Sequence, residues 1–394
     1  MEMRSRTLAF CMLLLIGLLL ALPVLAQEPP ATEIPLTPII ALDELMVDSF
    51  SNFSSRLVPY SQVTDEVLRS ARNRLRPFCA QAPVCLPVAY ESAANASTWL
   101  QPDSLVIGYS DASGQAYAYP LQIMLFHGLV NDTIGNEPIL VVYSMYTNHA
   151  SIYSRRSDGQ ILEFGNSGIY YSSIPLMYDL QTESQWLQLN GQQLVGSVPG
   201  QQLELLPFVV MPWLDWQAIH PNTVSLARRA NYVDYRNNPA ANYRTSVNLG
   251  RFAFPVTPTV QADRQLRYAD QVYVVTVGDE TAVFPVNALA DGITPVRIGD
   301  TDVLLLRQTV GGEPVLASHL PLLEDGTPVM LVYDEVAVEW WDRETGTVFE
   351  ITGQAISGQF SGQRIVSVPA TSMYWFAALA AYPNLTLSSE ITAP

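Results

Sequence analysis

The chain has 394 residues, 48% of them apolar, enough for two domains of ordinary size or one large one with a substantial core. Charged residues make up only 14%, the formal net charge is −17, and all 20 basic residues are arginine. So acidic a chain repels nucleic acid and anionic lipid headgroups, which removes those partners and leaves solubility outside the cell as the plain reading of the charge.

Residues 1–26 have the three parts of a secretory leader. Arg4 and Arg6 are the positive start, Leu8 to Leu22 the apolar stretch, and Val24-Leu25-Ala26 places a small residue before the cut. The alternative is an uncleaved anchor, but a span needs about 20 apolar residues and Pro23 ends this run early. The expectation is therefore a secreted or cell-surface protein with no membrane span after cleavage. Residues 27–40, with Pro29, Pro30, Pro35 and Pro38, read as an extended tether.

Residues 41–86 read as a small helical segment, with apolar spacing at Leu42, Leu45 and Met46 and again at Val63, Val67 and Leu68. Arg69, Arg72, Arg74 and Arg76 give the second helix a basic face, read as solvated or internally paired. Cys79 and Cys85 follow. In an oxidising compartment a disulfide is the default for such a pair. The competing reading, a metal or redox pair, lacks the usual two-residue spacing and a neighbouring histidine.

From Leu105 the texture changes to short β-like runs, such as Ile139 to Tyr143 and Ser151 to Tyr153, punctuated by turns at Asp111 to Gly114 and at Asp158-Gly159. The texture returns at Val272 to Val275 and Val303 to Leu306. Asp179, Thr182, Trp186, Gly191 and Gly200 recur in order as Asp342, Thr345, Phe349, Gly353 and Gly362. Pro207, Met211, Trp213, Pro221 and Asn222 recur at one constant spacing as Pro369, Met373, Trp375, Pro383 and Asn384. The fold class expected is mainly β (α+β): two tandem pseudo-repeat β-rich units with short helices, at 87–226 and 263–394, behind the helical segment. Each unit ends in a hairpin and an aromatic helix running to a Pro-Asn stop. Between the units, 227–262 is a Tyr/Asn/Arg-rich crossover that either covers a site or wraps the surface.

Four histidines are present, and none has the spacing of a helical metal site. His220 reads as a helix-end packing group and His319 as a loop residue without supporting carboxylates. His127 follows an apolar strand-like run and stands near Asn131 and Asp132, the setting of a ligand or general base, and equally of a buried, hydrogen-bonded group. The second unit has Gly292, Ile293 and Thr294 there, so any site belongs to the first unit. No nucleophile elbow, phosphate loop or dinucleotide fingerprint occurs.

Ala118-Tyr119-Pro120-Leu121, His127, Val130-Asn131-Asp132-Thr133-Ile134-Gly135, Phe164-Gly165, Ser167-Gly168, Met177-Tyr178-Asp179, Gln181-Thr182, Trp186 and Pro199-Gly200 together resemble the uncharacterised prokaryotic family known as domain of unknown function 3179, over about residues 87–390. The family's chemical segment is a Tyr-Cys-Pro-x-Cys-Gly-Thr-Ala pattern, which implies a thiol pair for metal or redox work. Here the run is Tyr143-Ser144-Met145-Tyr146-Thr147-Asn148-His149-Ala150, so Ser144 and Thr147 stand at the cysteine positions. A second family stretch is altered to Ser172-Ser173-Ile174. Neutral hydroxyls are poor ligands for soft metals. No cofactor or metal is therefore expected, with His127 and His149 as weak metal candidates.

The leading expectation is an exported binding module without chemistry of its own, its partner a small molecule or an envelope protein. The candidate polar site is His127, Asn131, Asp132, Ser144, Thr147 and His149. The runner-up is a metal-binding, redox or hydrolytic protein using His127, Asp132 and His149. The third reading is a structural envelope component.

Overall fold

The computed structural model describes residues 37–51, 54–72, 77–79, 85–111, 113–229 and 234–388. The leader 1–26, the tether up to residue 36, Arg74 and Arg76 lie outside the described residues. Among the described residues no helix is long and apolar enough to cross a membrane.

The first departure from sequence comes at once. Val63, Val67 and Leu68 do lead into an α-helix, Asp65–Arg72, but Leu45 and Met46 lie in a strand, Leu45–Ser51, hairpinned to Ser54–Pro59. Leu45 and Val47 are buried and Met46 is only half-buried, a period of two. The local spacing suits a helical turn. The strand is paired on both sides, with Ser54–Pro59 in the hairpin and with the edge of Phe164–Tyr171, where Ile169 pairs with Val47 and Tyr171 with Leu45.

From residue 105 onward the protein is mainly β, and two stretches follow one order of elements. The first opens with the hairpin Leu105–Ser110 and Ala116–Pro120 and the helix Leu121–His127. A meander follows, Leu129–Ile134, Glu137–Ser144 and His149–Ser154, then four strands from Phe164–Tyr171 to Gln193–Gly196. Val209–Pro212 returns to pair antiparallel with Leu105–Ser110. The helix Trp213–Ile219 then leads to Val224–Leu226, which pairs parallel with Ala116–Pro120. The second stretch has the hairpin Gln271–Val277 and Glu280–Pro285, a single 3-10 turn at Val286–Ala288, and the meander Gly292–Ile298, Thr301–Val310 and Glu313–Leu323. Four short strands form a sheet of their own, Ile365–Ser367 pairs with Glu313–Leu323, and Ala370–Tyr374 returns antiparallel to Gln271–Val277. The helix Trp375–Ala381 leads to Thr386–Leu387, parallel to Glu280–Pro285.

The shared residues explain themselves in this frame. Asp179 closes a turn by accepting from the Thr182 amide (2.5 Å) and hydroxyl (2.8 Å), and it takes the Trp186 indole N–H at 2.8 Å. Asp342 closes the matching turn on the Thr345 amide (2.9 Å) and hydroxyl (2.8 Å). Phe349 stands where Trp186 would and has no N–H to satisfy.

The two stretches pack crosswise. Trp213 and Trp216 of the first are buried with Leu306, Val315, Trp340 and Phe349 of the second. Trp375 and Phe376 of the second are buried with Leu176, Leu187 and Val195 of the first. Hydrogen bonds tie the seam: the Tyr374 amide to the Thr147 carbonyl (2.8 Å), the Thr371 hydroxyl to the Ala150 carbonyl (2.7 Å), and Arg364 to the Ser110 hydroxyl (3.0 Å).

Trp216 donates its indole N–H to the Thr223 hydroxyl at 2.8 Å and lies flat over Gly108. A Cβ there would sit 2.4 Å from the ring. Gly108→Ala is thus an overpacking change, expected to destabilise by about 1–3 kcal/mol in denaturant titration; an unchanged midpoint would mean that Trp216 is not held against this strand.

The crossover is more than a surface wrap. Its Tyr235, Val247, Phe254, Val256 and Val260 are buried, and it carries short helices at Tyr243–Asn248 and Pro258–Ala262. Phe254 stacks on Tyr170 at 3.5 Å between centroids, and the Phe254 amide donates to the Ser173 hydroxyl at 3.0 Å. Two histidine placements are corrected as well. His319 is not in a loop but buried in Glu313–Leu323, its Nε2 bonded to the Ile351 carbonyl at 2.9 Å. His127 ends a helix rather than a strand, because Leu121–His127 buries Ile123, Met124 and His127 on one face.

Candidate functional site

Gly128, at φ +72°, stops the helix after His127 and turns the chain into the meander. His127 is fully buried, with Nε2 2.8 Å from the Tyr235 hydroxyl and its ring edge-on to Phe78 at 4.7 Å. Its carbonyl accepts from the Asn166 side chain at 2.9 Å. Four residues on, Asn131 bridges two sheets. It donates to the Phe164 carbonyl at 2.8 Å and accepts from the Phe164 amide at 2.7 Å. Asp132 faces another way and takes the Tyr119 hydroxyl at 2.8 Å, with the Tyr90 hydroxyl also donating to it. Burial, together with the Asp132 carboxylate, holds both tyrosines well above the usual phenol range, so they act as proton-bearing donors and not as bases.

Ser144 ends the strand Glu137–Ser144, and a tight turn leads through Thr147 to His149, with Asn148 at φ +47°. Ser144, Thr147 and His149 are all buried. The Ser144 and Thr147 hydroxyls have no protein hydrogen-bond partner. His149 directs Nε2 to the Ser151 hydroxyl at 2.7 Å. Burial pushes its pKa down to about 3, and the Leu189 backbone offsets only part of that, so the ring is neutral at pH 7.

A cavity of about 190 Å³ opens beside Ser144, lined also by Met124, Tyr146, Asn166, Tyr170 and Gln188. Of the six residues singled out from sequence, only Ser144 lines it. His127 meets it indirectly, through Asn166. Asn131 serves the sheet junction, Asp132 the tyrosine pair, and Thr147 the seam. The candidates are thus distributed over separate environments, from the end of the helix Leu121–His127 along the meander that follows it. Ser144 also lacks the adjacent base that a hydroxyl nucleophile needs, since His149 is turned to Ser151.

Cys79 and Cys85 are joined in a disulfide. Among the described residues the only group of three or more His, Cys, Asp or Glu near enough to hold a metal is Cys79, Cys85 and Glu163. Its sulfurs are already bonded to each other, so they offer no thiolate. Tyr90, Gln188 and Tyr235 emerge only in three dimensions. Asn166 alone had a sequence signal, standing inside the Phe164 to Gly168 match.

The profile of the family described as "Protein of unknown function (DUF3179)" matches residues 82–385, and the chain belongs to that family. Comparison with curated proteins and with solved structures gave no match.

Proposed function

We propose that this family member is an exported, non-catalytic binding protein in which a duplicated scaffold offers the cavity beside Ser144 to a small uncharged molecule. The observation that carries the reading is the Ser144 hydroxyl, buried, without a protein partner, and lining a cavity. A buried polar group left unpaired costs about 1–3 kcal/mol, a cost that a ligand hydrogen bond would remove. Asn166 and Gln188 add amide side chains, and Tyr146, Tyr170 and Met124 add apolar wall. Export is supported by the leader at 1–26 and by the Cys79–Cys85 bond, a cross-link that persists in oxidising compartments. Duplication is supported by the matched turns at Asp179 and Asp342 and by the shared strand order.

The test is a thermal-shift screen of the mature chain against monosaccharides, nucleosides and neutral amides. A ligand at about 100 times its Kd stabilises by about 2.7 kcal/mol, which raises the melting temperature by several degrees. Ser144→Leu, which fills the cavity, is expected to abolish that rise while the protein stays folded. A rise that survives the substitution would place binding elsewhere. Elemental analysis of the same sample separates the metal reading: stoichiometric zinc, copper or iron would sink the proposal.

A further inference from the structure

A second cavity, of about 280 Å³, lies in the seam where the two stretches cross. Neither the family match nor the cavity at Ser144 accounts for it. Its walls come from both: Tyr143, Asn148 and Val209 from the first, Gln271, Glu313 and Ser372 from the second, with Arg244 reaching in from the crossover. Two charges of opposite sign therefore line one small space. Neither Arg244 nor Glu313, both exposed at the cavity, forms an ion pair with any described residue. The rest of the lining is uncharged, with apolar Leu105, Phe208 and Leu316 beside polar Tyr143, Asn148 and Gln271. The Tyr143 hydroxyl points to the Asn148 side-chain oxygen at 3.3 Å, and burial keeps that phenol protonated. Burial raises the Tyr374 phenol above its ordinary range, and Arg244 offsets part of that.

We infer that this seam cavity binds a small zwitterion, a free α-amino acid or a dipeptide, with the carboxylate at Arg244 and the ammonium at Glu313. Size and charge both select this class. The volume, about 280 Å³, lies just below the range of about 300 to 1,000 Å³ for ligand sites, too small for an oligosaccharide or a long peptide. A net charge of −17 repels anions at long range, whereas a zwitterion carries no net charge and meets no such barrier. An unpaired guanidinium presents a fork matched to a carboxylate. An anion alone would leave Glu313 opposed by a like charge, and a cation alone would do the same to Arg244.

The experiment is calorimetric titration of the mature chain at pH 7 with each proteinogenic L-amino acid and with glycyl-L-leucine. The best binder is then compared with its N-acetyl and amide forms. Binding of at least one zwitterion is expected, with each blocked form at least about tenfold weaker. Arg244→Gln should abolish binding. Glu313→Gln should bring the N-acetyl form level with the parent. Both side chains are exposed, so both variants are expected to fold, and unchanged melting curves would confirm it. Arg244 and Glu313 line only the seam cavity, so Arg244→Gln and Glu313→Gln should leave the thermal shift read at the Ser144 cavity unchanged, which separates failure here from failure of the proposed function. Three results would overturn the inference: no heat from any of these ligands, equal affinity for the blocked forms, or binding indifferent to Arg244→Gln.

Discussion

Acidification from pH 7 to pH 4 is expected to unfold the protein cooperatively, followed by near-UV and far-UV circular dichroism together. Burial holds His149 at a pKa of about 3, and His220 and His319 at about 4. The Arg364 guanidinium adds to the depression at His220 and His319, while the Ile351 carbonyl partly offsets it at His319. An unfolded chain would protonate all three near pH 6.5. Below that value the unfolded state binds more protons than the native state, so stability falls as the pH falls. The contribution is present above about pH 6.5 and is lost progressively toward pH 4 and 3. Each tenfold difference in proton affinity between the folded and unfolded chain corresponds to about 1.4 kcal/mol. Three such groups together approach the roughly 5–15 kcal/mol that holds a domain.

Glu350 runs the other way. Burial raises its pKa to about 7 against the pull of Thr352 and Arg364. Its raised value gives stability that is present below the ordinary carboxylate range and lost as the pH rises through 7. Between pH 4.5 and 7 it therefore cancels about one histidine and leaves two to drive the acid limb. Glu350→Gln should steepen that limb and stabilise the protein at pH 8 by about 3 kcal/mol. His149→Gln should flatten it. An acid transition that is the same in wild type, His149→Gln and His319→Gln would show that buried histidine is not its cause.

The strands, the disulfide and the aromatic helices are legible because each is written in neighbouring residues. Pro212-Trp213 and Tyr374-Trp375 carry their helix starts with them. Leu42 to Met46 misleads because its pattern fits a helix, whereas Leu45 and Met46 pair with Tyr171 and Tyr170, more than a hundred residues on, and Met46 also with Pro59 of the adjoining hairpin strand. His127, Asn131 and Asp132 are legible as a polar group, but not in their separation. In a strand successive side chains point to opposite faces, so Asn131 and Asp132 have to part, one to Phe164 and one to Tyr119. The cavity cannot be read at all. Ser144 is an ordinary serine in the sequence, and its lack of a partner is a property of Met124, Asn166 and Gln188 arriving from three other elements.

Arg155 is the residue whose loss is expected to cost most, and nothing in its sequence context, Ser154-Arg155-Arg156, distinguishes it from its exposed neighbour. It is buried at the end of the first meander. One guanidinium nitrogen reaches the Ile139 carbonyl at 3.1 Å, a second the Leu162 carbonyl at 2.7 Å, and a third the Asp132 carbonyl at 2.9 Å. The ion pair with Glu163, 3.4 Å and partly solvated, is the weaker part. Arg155→Met keeps the length of the stem but strips three buried carbonyls of their donor. The expected loss is about 3–5 kcal/mol, read as a lower denaturant midpoint at unchanged slope. Arg155→Lys should recover less than half of it, because one ammonium on a flexible stem cannot span three carbonyls that a planar fork meets at once. Full recovery by lysine would mean that charge, and not the fork, holds this corner. The strand carrying Asp132 would loosen with Arg155 lost, so the hydrogen bonds from Tyr90 and Tyr119 to its carboxylate should weaken together, visible as a change in tyrosine absorbance before global unfolding.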